Sequence, residues 1–77
     1  MTISYKFITT WGADVEVIID GETVLFEQGD ETDGDEYTLC YFMDGRVEGS
    51  DEVKYIAIGE YEKGSDLFVD LIDVELA

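Results

Sequence analysis

Histidine and proline are absent from this chain of 77 residues, and cysteine occurs only once, at Cys40. Without histidine the commonest general base is missing, and neither a Ser-His-Asp nor a Cys-His arrangement can form. Zinc would lack its usual nitrogen and sulfur ligands. A lone cysteine forms no internal disulfide, so packing must supply the stability, and a reducing compartment is the simplest setting. We therefore expect no enzyme activity, no cofactor and a cytoplasmic location.

Positive charge is also scarce. The chain has 4 Lys and Arg against 20 Asp and Glu, which gives a net charge of −16. This lies well outside the magnitude of about 2 to 8 that suits a soluble small domain, and self-repulsion of this size opposes folding. The acidic excess argues against direct binding to nucleic acid or to an anionic membrane, because both require positive charge on the protein. It favours a basic partner.

Long apolar runs are missing as well, and the first ten residues, MTISYKFITT, lack the pattern of a signal peptide. We expect a soluble protein with one domain over residues 1–77, because a chain of this length has room for one core. Hydrophobic residues make up 45% of the chain and aromatic residues 13%, which supplies that core and separates the chain from disordered acidic tails.

The clearest local signal is a β-hairpin from residue 14 to residue 27. Asp20 and Gly21 separate two β-rich segments, as a two-residue type I′ turn does. The predicted pairs across it are Ile19 with Glu22, Val17 with Val24, and Val15 with Phe26. One face is then apolar, and the other carries Asp14, Glu16 and Glu27. Asp14 falls almost opposite Glu27, a like-charge pairing that requires solvent or a cation.

The other predicted elements follow from alternation and from turn residues. Before the hairpin they are a half-buried strand at 2–9 and a turn at 11–13. After the hairpin come a non-strand polar segment at 28–36, a central strand buried on both faces at 37–43 and a second turn at Asp44 and Gly45. The chain then continues with a short strand around Val47, a turn at 49–52 and a strand at 53–59. Cys40, in the middle of the most apolar strand, is predicted to be a small buried hydrophobe whose acidic surroundings raise the thiol pKa.

The segment 66–76 has two interpretations. Asp66, Asp70 and Asp73 fall at helical spacing, whereas the β-branched residues between them favour a strand. We prefer a hairpin partner for 53–60, turned near Lys63 and Gly64, because aspartates are poor helix formers. The predicted fold is therefore all-β, a small antiparallel sheet or barrel of six or seven short strands joined by hairpins. The alternative is an α+β fold with a C-terminal helix at 66–76.

The acidic segment around Gly34 suggests calcium, which prefers several oxygen ligands. The EF-hand spacing nevertheless fails. With Gly34 at the invariant glycine position, Gly29 would occupy the first ligand position and Cys40 the last, where carboxylates are required. No metal site is predicted.

In size, net charge, scarcity of basic residues and acids scattered over an aromatic-supported sheet, the chain resembles small phage-encoded DNA-mimic inhibitors of the anti-CRISPR and anti-restriction type. The resemblance covers the whole chain as composition and includes no diagnostic motif. It implies a phage or mobile-element protein that blocks a host nuclease or its recognition complex. Acids on one strand face recur about every 6.7 Å, and duplex DNA carries a phosphate about every 3.4 Å of axis per strand, with the winding backbone lengthening the true separation.

The expected partner is a basic nucleic-acid-binding protein or ribonucleoprotein complex. The acids expected to contact it are Asp14, Glu16, Glu27, Asp30, Glu31, Asp33, Asp35, Glu36, Glu48, Asp51 and Glu52. Two alternatives remain open, an antitoxin or immunity-type protein that binds a basic partner without nucleic-acid mimicry, and a halophile's soluble adaptor domain. A homodimer is also open, because a small sheet has edges that can pair.

Overall fold

A computed structural model of the chain describes residues 2–5, 14–65 and 67–77, which form antiparallel strands and no helix. The strands are β1 (Ile3–Tyr5), β2 (Val15–Ile19), β3 (Glu22–Thr32), β4 (Thr38–Val47), β5 (Val53–Glu62) and β6 (Phe68–Leu76). They lie side by side in chain order in one sheet of six strands that curls into a half barrel. The all-β prediction is confirmed. The predicted turn at 11–13 and the end of the first predicted strand lie outside the described residues.

The β2–β3 hairpin has the predicted register, with Val15 opposite Phe26 and Val17 opposite Val24. Asp20 and Gly21 form its turn with φ of 48° and 83°. A type I′ turn needs positive φ at both central residues, and aspartate and glycine tolerate it. The hairpin therefore follows from local sequence alone.

The inner face of the sheet carries the core. Its buried members are Val15, Val17, Ile19, Val24, Phe26, Met43, Tyr55, Ala57, Tyr61 and Leu71. Two glycines make room for two large members of this set, Phe26 and Met43. A Cβ at Gly45 would lie 2.7 Å from the Phe26 ring, and one at Gly59 would collide with the Met43 sulfur. The aromatic ring and the thioether thus pack directly against backbone, so the curled sheet closes on a dense interior.

The polar segment 28–36 is partly strand, which corrects the prediction. β3 continues through Thr32, and the register shifts between Gln28 and Glu31 so that Gly29 and Asp30 together face Phe42. Such a β-bulge accommodates one extra residue without ending the strand. Backbone pairing with β4 holds the segment while its side chains stay in water, so polarity was a poor guide to strand length here.

The predicted second turn at Asp44 and Gly45 is also wrong. Both residues lie inside β4, where Asp44 pairs with Glu27 and Ile56, and Gly45 pairs with Phe26 and Tyr55. β4 is an inner strand of the sheet, as predicted, but it is not buried on both faces, because Phe42 is 54% exposed. The turn predicted at 49–52 is present between β4 and β5.

The C-terminal segment is β6, which pairs with β5 across a turn at Lys63 and Gly64. The preferred hairpin is confirmed, and the helix at 66–76 is wrong. Register shifts leave Val69 as an extra residue and set Asp73 and Val74 together opposite Ala57, with Asp73 at φ 52°. The two bulges place Phe68, Leu71 and Val74 inward at intervals of three residues, a period close to that of a helix. None of the described residues forms a helix that could cross a membrane.

Candidate functional site

The outer face of the sheet, opposite the core, is where acids and exposed apolar side chains meet. Strand alternation places there Glu16, Leu25, Glu27, Phe42, Asp44, Ile56, Ile58, Glu60, Asp70, Ile72 and Glu75. The pairing registers arrange these side chains in rows that cross the strands. Neighbouring strands are about 4.8 Å apart, and successive rows are about 6.7 Å apart along a strand.

The first acidic row consists of Glu27, Asp44 and Glu75. Glu27 lies directly opposite Asp44, and Ile56 separates Asp44 from Glu75. At the far end, the Gln28 N–H donates a hydrogen bond to Asp14 Oδ1 at 3.3 Å, which holds Asp14 beside this row. Like charges directly opposite on paired strands destabilise a sheet. The row therefore opposes folding in the free protein.

The second acidic row consists of Glu60 and Asp70, which are directly opposite each other on β5 and β6. The Leu71 N–H donates to Asp70 Oδ1 at 2.9 Å, so this carboxylate is held by its own strand. Between the two acidic rows runs an apolar row of Phe42, Ile58 and Ile72, each opposite the next. The outer face thus alternates acid, apolar and acid.

A groove of about 370 Å³ at one end of the sheet gathers several predicted acids around Arg46. Glu16, Glu27, Glu48 and Asp51 line it. Arg46 Nη1 lies 3.6 Å from Glu27 Oε2, and Arg46 Nε donates to the Asp51 carbonyl at 3.2 Å. Exposed pairs of this kind contribute little stability. Two acids of the β2–β3 hairpin therefore line the same groove as two acids between β4 and β5. The sequence alone did not predict that these acids lie together.

The remaining predicted acids lie elsewhere. Asp30 and Glu31 extend β3, and Asp33, Asp35 and Glu36 form the loop before β4. β4 separates this loop from the Arg46 groove, a distance of about 30 Å for a ten-residue strand. The predicted acids therefore form two groups. Glu52 is exposed in the β4–β5 turn, but it is not among the residues that line the groove.

Asp35 has a structural role in its loop. Its Oδ1 accepts hydrogen bonds from the Tyr37 N–H at 2.7 Å, the Thr38 N–H at 2.9 Å and the Thr38 hydroxyl at 3.0 Å. These bonds, led by the one from Tyr37, lower the pKa of the Asp35 carboxyl. Lys63 Nζ also donates to the Asp35 carbonyl at 3.0 Å. This aspartate therefore shapes the start of β4.

Cys40 is buried, as predicted, but it does not belong to the core. It lies on the outer face opposite Thr32 and Glu60, and the residue is only 5% exposed. Burial raises the thiol pKa, and the charges of Glu60, Asp35 and Asp33 raise it further. In the described part of the chain no three Cys, Asp or Glu side chains are grouped so that they could hold a metal ion.

The sequence interpretation missed the acids on β4, β5 and β6. Asp44, Glu60, Asp70 and Glu75 lie on the outer face, whereas the prediction placed Asp44 in a turn. Strand alternation from the buried Met43 would have found Asp44, because neighbours on a strand point to opposite faces. Bulges hide Asp70 and Glu75 from the same reasoning.

The basic residues that the structure describes neutralise this face only in part, at Glu27. Lys54 Nζ donates to Glu22 Oε1 at 2.8 Å, and Arg46 is occupied by Glu27 and the Asp51 carbonyl. This hydrogen bond from Lys54 to the Glu22 carboxylate also raises the pKa of Lys54. No protein family, curated protein or solved structure matches the chain.

Proposed function

We propose that the chain is an inhibitor or binding protein that presents its outer-face carboxylates to a basic, nucleic-acid-binding surface of another protein. It acts there as a nucleic-acid mimic against a host CRISPR or restriction complex. The observation that supports this most is the direct pairing of acid with acid, Glu27 with Asp44 and Glu60 with Asp70, on neighbouring strands.

Placing acid opposite acid costs the folded monomer stability, because each carboxylate raises the energy of the other. The partly exposed Arg46 beside Glu27 and the Leu71 N–H that donates to Asp70 offset part of this cost. Lysines or arginines of a partner would remove that repulsion on binding and gain charge-assisted hydrogen bonds to the same oxygens. Relief of the repulsion between the carboxylates would therefore add to the free energy of binding.

The sheet also fixes the carboxylate positions before binding. The paired acids Glu27, Asp44 and Glu60 lie on β3, β4 and β5, which are each paired on both sides. Asp70 lies on β6, which is paired with β5. A ligand that is rigid in its bound conformation loses less entropy on association. A row spacing of about 6.7 Å along a strand gives charges at intervals comparable with those of a phosphate backbone.

Nucleic-acid competition on proteins retained from a bacterial lysate by the immobilised chain tests the proposal. Two variants with equal net charge provide the matched comparison. The face variant carries Glu27→Gln, Asp44→Asn and Glu75→Gln, and the loop variant carries Glu31→Gln, Asp33→Asn and Glu36→Gln. All the altered side chains are exposed, so we expect both variants to fold.

We expect basic nucleic-acid-binding proteins to be retained by the original chain and the loop variant, released by duplex DNA or RNA, and lost from the face variant. Binding that nucleic acid does not displace would indicate the antitoxin-type alternative. Retention of only neutral or acidic proteins would overturn the proposal. A chain that folds only in molar salt would indicate the halophilic alternative.

A further inference from the structure

The apolar row of the outer face has no counterpart in a phosphate backbone. Phe42 is opposite Ile58, and Ile58 is opposite Ile72, so the row crosses β4, β5 and β6 in register. Phe42 is 54% exposed, and Ile58 and Ile72 are each partly exposed. A face that imitated phosphates alone would have no use for large apolar side chains in water, because exposed apolar patches favour association.

Ile56 enlarges this apolar surface. It lies two residues before Ile58 on the same face and is 42% exposed. A shallow groove of about 300 Å³ is lined by Phe42, Ile56, Ile58, Asp73 and Glu75. The groove therefore combines an apolar floor with carboxylates at its rim.

Acids flank the apolar row on both sides. Asp44 and Glu75 lie in the row on one side, and Glu60 and Asp70 lie in the row on the other. A ligand that satisfied this pattern would carry a narrow apolar stripe with positive charge along both of its edges. Charge complementarity of this kind fixes orientation as well as partner choice.

An amphipathic helix has this shape. Its apolar residues return to one side about every 5.4 Å along the axis, close to the strand spacing of about 4.8 Å along which Phe42, Ile58 and Ile72 succeed one another. Its diameter of about 10 Å brings side chains on the two edges of the stripe over rows about 6.7 Å to either side. A helix lying across the strands would thus meet all three rows at once.

We propose that the apolar row and its two acidic flanks bind a basic amphipathic helix of the partner protein. The apolar stripe of the helix lies on Phe42, Ile58 and Ile72 and extends onto the neighbouring Ile56. This inference rests on the proposed function, since it specifies what the basic surface of the partner looks like. It adds that recognition is not by charge alone.

Two synthetic peptides provide the test. One places leucines at i, i+3, i+4 and i+7 with lysines along both edges of the stripe. The other has the same composition in scrambled order, so that charge is equal and the stripe is gone. The original chain should bind the striped peptide at least about tenfold more tightly, a preference that burial of a few apolar side chains can supply. This comparison needs no variant of the protein.

A variant with Phe42→Thr and Ile56→Thr keeps the net charge and the strand preference of both positions. It should bind the two peptides equally and bind the scrambled peptide as the original chain does. Equal affinity of the original chain for the two peptides, or a preference retained in this variant, would overturn the inference. The face variant separates the two proposals, because it should lose affinity for both peptides. Undiminished binding of the peptides by the face variant would overturn the proposed function too, whereas no binding of either peptide to the original chain would overturn the inference alone.

Discussion

The two faces of this sheet carry opposite kinds of side chain. On the inner face, Phe26 and Met43 are almost fully buried against glycines, and no charged or polar residue of the described chain is buried with them. The next residue on each of these strands, Glu27 after Phe26 and Asp44 after Met43, points to the outer face. There the two acids lie opposite each other. Since the same strands supply both faces, the difference shows which residues hold the fold and which oppose it. We infer that the inner face supplies most of the stability and that the acid pairs of the outer face reduce it.

The largest expected effect is on the inner face. Phe26→Ala would remove the ring that packs on Gly45 and leave a cavity, which we expect to lower the free energy of unfolding by about 3 to 5 kcal/mol. Leu25→Ala, one residue away on the outer face and 39% exposed, is the control, and it should change that energy by less than about 1 kcal/mol. Denaturant unfolding measures both. Equal losses would contradict the division into two faces.

Alkaline pH should lower the stability of the fold through the inner-face residue Tyr61. Burial, with a contribution from Asp14, raises the pKa of this phenol to about 12. Because the folded pKa lies above the unfolded value of about 10, the folded state holds its proton longer, and stability falls as pH rises from about 10 towards 12. Phenolate absorbance should show one late titration that Tyr61→Phe removes. A late phase that persisted in Tyr61→Phe, or no late phase in the original chain, would refute this prediction.

Removing a charge from the outer face should stabilise the protein. Asp44→Asn relieves the repulsion from Glu27, and we expect a gain of several tenths to about 1 kcal/mol at low salt that shrinks as salt is added. Glu36→Gln, in the loop before β4, is the control for net charge alone and should gain less. Unfolding curves at two ionic strengths measure the difference. Lower stability of Asp44→Asn at low salt would mean that the carboxylate supports the fold.

The smallest effect concerns Cys40, which is buried although it lies on the outer face. Burial and the nearby acids raise its thiol pKa, so the reactive thiolate is disfavoured in the folded protein. We expect alkylation of Cys40 to be slow in the folded state and fast in denaturant. Rapid labelling of the folded chain would show that the outer face around Glu60 is open to small molecules. Equal labelling rates in the two states would do the same.

Sequence predicted those elements whose cause is local. Asp20 and Gly21 formed the expected turn, whereas the same dipeptide at Asp44 and Gly45 did not, because β4 is paired on both sides and Gly45 leaves space for the Phe26 ring. That choice depends on residues far away in the chain, which no local signal reports. In β6 the bulges at Val69 and Asp73 imitated a helical period, and only pairing with β5 reveals them.

The residues of the candidate site likewise divide into those that local sequence places correctly and those that only strand pairing places. Alternation within one hairpin placed Glu16 and Glu27 on the outer face correctly. Their meeting with Glu48 and Asp51 around Arg46 depends on the β3–β4 register, which follows from the bulge at Gly29 and Asp30. The rows that include Asp44, Glu60 and Asp70 depend on three strand pairings at once, so no single stretch of sequence encodes them.

The salt dependence of binding to a retained basic protein tests the central claim most directly. Each partner cation that pairs with a carboxylate in place of a phosphate contributes to the slope of log K against log salt. The account predicts a shallower slope for the face variant with Glu27→Gln, Asp44→Asn and Glu75→Gln, and a nearly unchanged slope for the loop variant of equal charge. Equal slopes for the two variants, or a larger change in the loop variant, would contradict the claim that the outer face presents its carboxylates to the partner.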